Sequence, residues 1–219
     1  MIVRRRLIAT VAVLAAAASV AGCKSKGDIV VDEGVGITAI RGACPAVGIP
    51  DYTGDITLFT APGATDASAI DVTAAMTNVR STCNDGGAKV YAEVEFDVLA
   101  RRTNTSAARS VQLPYFVTVM RGGNAVVSKR VGTVTINFAA GQERAQAHAK
   151  GGAYIDRAEA TLPQEIRERI TRKRKAGDTD AAVDPLAQPD VRAAVARATF
   201  DVLVGFQLDE RQLTYNVTR

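Results

Sequence analysis

The chain has 219 residues, of which 47% are hydrophobic and 23% charged, an apolar content typical of globular proteins. It carries 27 Lys and Arg residues against 23 Asp and Glu residues, a formal charge of +4. The first 22 residues contain three arginines and no acid, so the rest of the chain has a charge of only +1. This near-neutral balance argues against nucleic-acid binding, although a basic helix described below keeps it as a weaker alternative.

The N-terminal 22 residues have the pattern of a bacterial lipoprotein signal. Arg4, Arg5 and Arg6 precede an apolar, alanine-rich run over residues 7–20 that is short for a membrane-spanning helix. The run leads into the lipobox Val20-Ala21-Gly22-Cys23. This predicts that residues 1–22 are cleaved away and that Cys23 carries a diacylglycerol thioether and further acyl chains. A plain secretory signal and an uncleaved anchor helix are the alternatives.

The next segment and the remaining cysteines bear on the mature chain. Residues 23–34 are predicted to be the lipidated cysteine and a short tether, although residues 29–31 are also consistent with a first strand. With Cys23 lipidated, Cys44 and Cys83 form a pair, and an oxidising compartment favours a disulfide between them. Closing this 39-residue loop stabilises a fold by roughly 4 kcal/mol in the chain-entropy model. A metal site is disfavoured because the chain has a single histidine.

Residues 35–219 are predicted to form one domain that begins with β-structure. The clearest strand is residues 90–98, where apolar side chains at even positions alternate with polar or charged ones at most odd positions. Residues 71–79 predict a strand that ends before Cys83. A strand over 111–120 and a Gly-containing turn before residue 125 predict a hairpin, and Pro114 predicts an edge position or a bulge in it.

From Glu143 to Thr199 the composition changes to Ala, Arg and Gln with helical spacing. A helix is predicted over 163–177, a polar loop over 178–189, a second helix over 190–198 and a closing strand over 200–208. Strands dominate and the helices come late. The predicted fold is therefore mainly β, an antiparallel β-sandwich of the immunoglobulin or fibronectin kind, with a helical insertion at about 155–198.

One cluster of charge lies in the predicted first helix and consists of Arg167, Arg169, Arg172, Lys173, Arg174 and Lys175. An apolar stripe of Leu162, Ile166 and Ile170 runs beside it, which is the pattern of an amphipathic helix. One interpretation is a contact with anionic lipid headgroups, lipopolysaccharide phosphates or an acidic partner. The other is a solvated helix face whose C-terminal cations favour the macrodipole.

Candidate catalytic groups are few. His148 has no surrounding catalytic motif. The pair Glu93 and Glu95 is most simply explained as part of the solvent-exposed face of an amphipathic strand. The Gly-Gly pairs lack the spacing and the lysine of a phosphate loop. The sequence therefore predicts no catalytic residue, no metal and no cofactor. An enzyme or small-ligand carrier, with a site assembled only by folding, is the alternative.

Several segments together resemble a group of uncharacterised alphaproteobacterial envelope lipoproteins. These are the lipobox, Cys44-Pro45, Ser81-Thr82-Cys83, residues 113–117, residues 202–208 and residues 212–216. The resemblance implies a lipid-anchored envelope protein and supplies no catalytic residue. Lys24 after the anchor, by resemblance to the enterobacterial sorting rule, implies the periplasmic face of the outer membrane. The expected function is that of a non-catalytic structural or interaction module, bound to the membrane by its lipid.

Overall fold

The computed structural model describes residues 42–174, 177–179 and 182–219. The predicted leader, Cys23 and the tether lie outside these residues. The strands, in chain order, are β1 (Ala46–Gly48), β2 (Asp55–Phe59), β3 (Ile70–Asn84), β4 (Lys89–Arg102), β5 (Arg109–Arg121), β6 (Ala125–Phe138), β7 (Arg144–Asp156) and β8 (Phe200–Phe206). The α-helices are α1 (Gln164–Thr171), α2 (Pro189–Ala198) and α3 (Glu210–Thr218).

The strands form two four-stranded sheets. Sheet I has the order β1-β8-β5-β6, and sheet II has the order β2-β3-β4-β7. β1 pairs with β8 in parallel, and the other ladders between described strands are antiparallel. The prediction of a mainly β fold is confirmed.

Both sheets turn alternate side chains into one shared core. In β4 the even positions from Val90 to Ala100 are buried, which confirms the predicted alternation. Leu113 of β5, Ile136 of β6 and Phe206 of β8 supply fully buried side chains from sheet I to the same cluster. Each such side chain contributes about 1.5–3 kcal/mol relative to its exposed state, so the two sheets hold together mainly by this burial.

The helical spacing predicted from Glu143 onward is wrong for its first part, because Arg144–Asp156 is strand β7. Its inward positions are small: Ala145, Ala147, Ala149 and Gly151. The opposite sheet explains the small side chains. A Cβ at Gly151 would lie 2.6 Å from Cγ2 of Val117 in β5. Side chains of sheet I thus fill the space that larger residues of β7 would occupy.

β3 is longer than predicted. It runs past residue 79 to Asn84, so Cys83 lies within the strand rather than beyond its end. The register against β4 shifts between Thr77 and Arg80. Asn78 sits at this irregularity with φ +52°, in the left-handed region that asparagine tolerates better than most residues.

Pro114 does not lie in an edge strand, since β5 is flanked by β8 and β6. The β5–β8 ladder, however, ends at the pair Tyr115–Phe206. Just beyond that end, the Gln207 N–H donates to the Pro114 carbonyl oxygen at 2.9 Å. The nitrogen of Pro114 points to the same side as its carbonyl, where no further β8 residue needs a donor. The proline is tolerated because the neighbouring strand stops there.

The helices differ from prediction at their ends. α1 stops at Thr171, where Arg172 turns to extended backbone with ψ 122°, although helix was predicted to residue 177. α2 begins at Pro189 and ends at Ala198, close to the predicted bounds. α3 was not predicted. Its N-terminus carries a capping box, in which Asp209 accepts from the Gln212 backbone N–H and the Gln212 side chain accepts from the Asp209 N–H.

Residues 42–172 and 182–219 belong to one compact unit, and residues 173–181 belong to another. In the second unit the described residues are Lys173, Arg174 and 177–179. The side chain of Arg174 is buried and that of Lys173 is exposed.

The core has two ends, which differ in what closes them. The disulfide end is where β3 stops at Asn84, β5 stops at Arg121 and β8 starts at Phe200. The arginine end is where β4 stops at Arg102 and β6 stops at Phe138.

Candidate functional site

A disulfide closes one end of the core. Cys44 and Cys83 are bonded, with their Cα atoms 6.0 Å apart, which confirms the predicted pairing. Cys44 lies just before β1 of sheet I, and Cys83 lies in β3 of sheet II. The bridge therefore joins the two sheets at the place where the described chain begins. Cys23, the predicted lipidation site, is outside the described residues.

The helical segment sits at this same end. A recess of about 300 Å³ is lined by Ala43 and Cys44 on one side and by Leu162, Val195 and Thr199 on the other. α1 and α2 also share a small apolar cluster of their own, made by Ile166, Ile170, Val191 and Ala194. Two short helices thus pack on one another beside the disulfide.

The six predicted basic residues do not share one helix. Arg167 and Arg169 lie on α1, and Arg172 follows its last residue. Lys173 and Arg174 belong to the second unit, and Lys175 is outside the described residues. Arg169 Nη1 is 2.6 Å from Asp190 Oδ2 of α2, and this hydrogen bond, before any other contact, lowers the pKa of Asp190. The charge of Arg169 is therefore largely balanced within the helix pair.

The outer face of sheet II carries the histidine. Nδ1 of His148 in β7 lies 3.1 Å from Oδ1 of Asp97 in β4, and Asn78 Nδ2 donates to Asp97 Oδ2 at 2.6 Å. The hydrogen bonds from Asn78 and then from His148 lower the pKa of Asp97. An ionised carboxylate only accepts, so His148 donates its Nδ1–H to Asp97. Sequence reasoning did not find this Asn-Asp-His chain, because it depends on the irregularity in β3.

Such an oriented imidazole is one component of a general base, and a reaction would also need a nucleophile or a bound substrate. Among the described residues, no serine, threonine or cysteine hydroxyl or thiol hydrogen-bonds to His148. The carboxylates on the same face have cationic neighbours. Glu93 lies 3.5 Å from Lys150 Nζ and accepts from the Tyr91 hydroxyl at 3.0 Å. Glu95 is opposite Arg80 and Lys150 in register.

A groove of about 820 Å³ crosses the outer face of sheet II near the arginine end. Its walls include Thr57, Leu99, Arg101 and Arg144 from three strands, and Arg219 after α3. Leu99 is 48% exposed at its floor. Arg101 pairs with Glu143, and Arg219 pairs with Asp55. The groove combines an apolar floor with paired arginines. A second groove, of about 1230 Å³, lies between α3 and the residues that follow β2.

Within the described ranges, no group of three or more His, Cys, Asp or Glu side chains is placed to hold a metal ion. Within the same ranges, no helix is both long and apolar enough to cross a membrane. No protein-family model, curated protein or solved structure matches the chain. The resemblance to alphaproteobacterial envelope lipoproteins accordingly stays a prediction from the sequence.

Proposed function

We propose that this protein is a non-catalytic lipoprotein, held by acyl chains on Cys23 and acting as a structural or interaction module in the bacterial envelope. The observation that carries the proposal is the Cys44–Cys83 disulfide, which follows the predicted tether closely. Stable disulfides belong to oxidising compartments such as the periplasm, the compartment that a lipobox also implies. The periplasmic face of the outer membrane is the proposed location.

The fold supports a display role. Two sheets around one filled core give a body that presents the outer faces of both sheets. A β-sandwich of immunoglobulin or fibronectin type is the proposed finer description, supported by two sheets around one core. The consecutive strands β2, β3 and β4 form a meander in one sheet, so the type itself stays a prediction.

Partners are proposed to be the membrane, through the lipid, and an envelope protein, anionic lipid or lipopolysaccharide, through charged surface. Arg167, Arg169 and Arg172 lie beside the disulfide end, on or directly after α1. Their position near the start of the described chain supports a contact on the membrane side of the molecule.

Intact-mass analysis of protein purified from native membranes tests the anchor. We expect a lipid-sized mass increment in the native chain, its loss in Cys23→Ala, and a gain of two hydrogens on reduction from the single bridge. Each buried methylene of an acyl chain contributes about 0.8 kcal/mol, so three chains hold a protein stably. A mature native chain without the increment overturns the anchor, and an unshifted mass on reduction would overturn the bridge.

The second candidate function is that of a small-ligand carrier or hydrolase. The observation in its favour is the groove lined by Leu99 and Arg144, because the pair Asp97–His148 lies close to it in the β4–β7 ladder. Envelope extracts equilibrated with the native protein, followed by mass spectrometry of what it retains, separate the two. A retained molecule that is lost in Leu99→Glu but kept in Leu213→Glu, an exposed position on α3, favours the carrier.

A further inference from the structure

The hairpin β5–β6 places its tip at the disulfide end. Arg121, the last residue of β5, is paired both with Phe200, the first of β8, and with Ala125, the first of β6. The parallel pair Ala46–Asp201 puts the start of β1, and with it Cys44, at this end too. The tip of the hairpin and the entry of the chain thus lie at the same end of the core.

This tip is apolar and exposed. Val126 is 62% exposed and Val127 is 52% exposed, and the two follow the turn Gly122-Gly123-Asn124 closely. Gly122 and Gly123 have φ values of +61° and +77°, so the tight turn needs glycine and leaves the tip narrow. Tyr154, near the end of β7 at the same end, is 69% exposed. The hairpin tip therefore offers apolar side chains on both of its faces.

Cations follow the valines. Lys129 and Arg130 are exposed, and Lys129 Nζ lies 4.9 Å above the ring of Phe116. Residues 121–131 contain no acid, and their third cation, Arg121, is paired with Glu159. Apolar side chains at a tip with cations just behind them match the layers of an anionic membrane surface, where acyl chains lie beneath phosphates. Tyrosine is also favoured at that depth.

The predicted anchor brings the lipid surface within reach. Gly42 follows Cys23 by 19 positions. Even as a flexible coil, a segment of that length has an end-to-end distance of about 25 Å. A tethered surface is presented at a high effective concentration, so weak contacts of a few side chains are sufficient to orient the body.

We propose that the disulfide end rests on an anionic lipid surface, with Val126 and Val127 at the boundary between headgroups and acyl chains and Lys129 and Arg130 on the phosphates. The proposal rests on the lipid anchor proposed above, and it adds an orientation: the arginine end and α3 point away from the bilayer.

A matched pair of tryptophan reporters tests the orientation, because the chain contains no tryptophan of its own. Val127→Trp marks the tip. Val217→Trp is the control, since Val217 is also a valine and is 51% exposed, but lies on α3. The lipidated full-length variants are reconstituted into vesicles of phosphatidylcholine with about 30% phosphatidylglycerol, with and without brominated acyl chains.

We expect the tryptophan emission of Val127→Trp to shift to the blue on vesicles and to be quenched by bromolipids, with the emission of Val217→Trp unchanged. The anchor keeps the chain on the vesicle, so the readout is the ratio of docked to undocked tip, taken from the bromolipid quenching. Replacing Lys129 and Arg130 by Glu in the Val127→Trp background is expected to lower this ratio by about fivefold or more for each position. The control Arg211→Glu, on α3, is expected to have no effect. High salt is expected to imitate the double replacement.

The outcomes separate the two proposals. If the protein carries no lipid and fails to float with vesicles, the anchor is contradicted. Bromolipid quenching of the protein fraction that still binds vesicles then tests the hairpin contact. A chain that floats but leaves the tip reporter unquenched overturns the orientation and leaves the anchor standing, as expected if the tip instead meets an envelope protein. Equal quenching at both reporters also overturns it. The absence of any bound material contradicts both proposals.

Discussion

At the disulfide end a covalent bridge ties β1 to β3, whereas at the arginine end a single buried guanidinium ties two loops. Arg102 is 2% exposed, and its nitrogens donate to the carbonyl oxygens of Gln142 and Ala139 on one loop and of Ala107 and Thr105 on the other. It also lies 5.0 Å from the centre of the Phe138 ring. Among the described residues, no carboxylate forms an ion pair with it.

The disulfide and the buried arginine stabilise the protein in different ways, because one acts on the unfolded chain and the other on the folded chain. A disulfide stabilises mainly by restricting the unfolded chain, and it needs an oxidising compartment. Arg102 acts in the folded state, where carbonyl dipoles replace the water that a buried cation loses. This core is therefore closed by polar or covalent chemistry at both ends rather than by apolar packing alone. We therefore expect that a change at one end lowers the stability of the protein without disturbing the contacts at the other end.

The largest expected effect is that of Arg102→Met. Four carbonyl groups lose their donor at a site closed to water, so we expect the free energy of unfolding to fall by on the order of 5 kcal/mol. Urea denaturation of the oxidised protein measures it. Arg101→Met is the matched control, since Arg101 is the preceding residue and its side chain is 65% exposed; there we expect less than about 1 kcal/mol. Similar losses at both positions would argue against the role of Arg102.

Removing the bridge comes next. The double variant Cys44→Ala and Cys83→Ala is expected to lose about 4 kcal/mol, the chain-entropy value for a loop of 39 residues. Reductant should lower the stability of the native chain by a similar amount and leave the variant unchanged. In hydrogen exchange, we expect the exchange rates of the amides of β1 and of the last residues of β3 to increase the most. Faster exchange at the Arg102 loops instead would show that the two ends are not independent.

The smallest effect distinguishes the ends by pH. Both nitrogens of the Arg109 fork donate to Asp71, at 2.7 and 2.6 Å, and this contact lowers the pKa of Asp71. A carboxyl whose folded pKa is depressed adds stability above its unfolded pKa and loses it as the pH falls through the folded pKa. We expect Asp71→Asn to cost less than about 1 kcal/mol at pH 7, because the pair is partly exposed.

The difference between native chain and Asp71→Asn should vanish between about pH 4 and pH 2, read as urea midpoints. The disulfide does not titrate, so the cost of the double cysteine variant should be the same at both pH values. A gap between the native chain and Asp71→Asn that persists at about pH 2 would falsify the assignment to this carboxyl.

Much of the fold could be predicted from local pattern. A few neighbouring residues are enough to predict the alternation in β4 and the hairpin turn before Ala125. The number of cysteines is enough to predict the pairing of Cys44 with Cys83. α3 was equally readable, because the capping box needs only Asp209 and Gln212. Arg102 also left a signal: it continues the inward positions of Val98 and Ala100.

Other features could not be predicted because they depend on distant residues. β7 has alanines and glycines of low strand propensity, and it is a strand because it pairs with β4 along its whole length, while its small residues leave room for Val117 and Tyr115 of sheet I. The chain from Asn78 through Asp97 to His148 joins three strands at an irregularity. The gathering of the hairpin tip, Cys44 and α1 at one end follows only from the ladders of sheet I and from the packing of the helices beside Cys44.

The bridge also determines how the molecule carries a mechanical load. β1 has only three residues, and a pull on the chain before Cys44 would otherwise peel it from the edge of sheet I. The bond to Cys83 directs that pull into the end of β3, whose ladder with β4 extends from Val72 to Asn84 and whose first residues, 70–75, also pair with β2. A force applied along β3 must then shear many backbone hydrogen bonds together rather than open them one at a time. A chain pulled from the N-terminal side of Cys44 would thereby resist unfolding from that end.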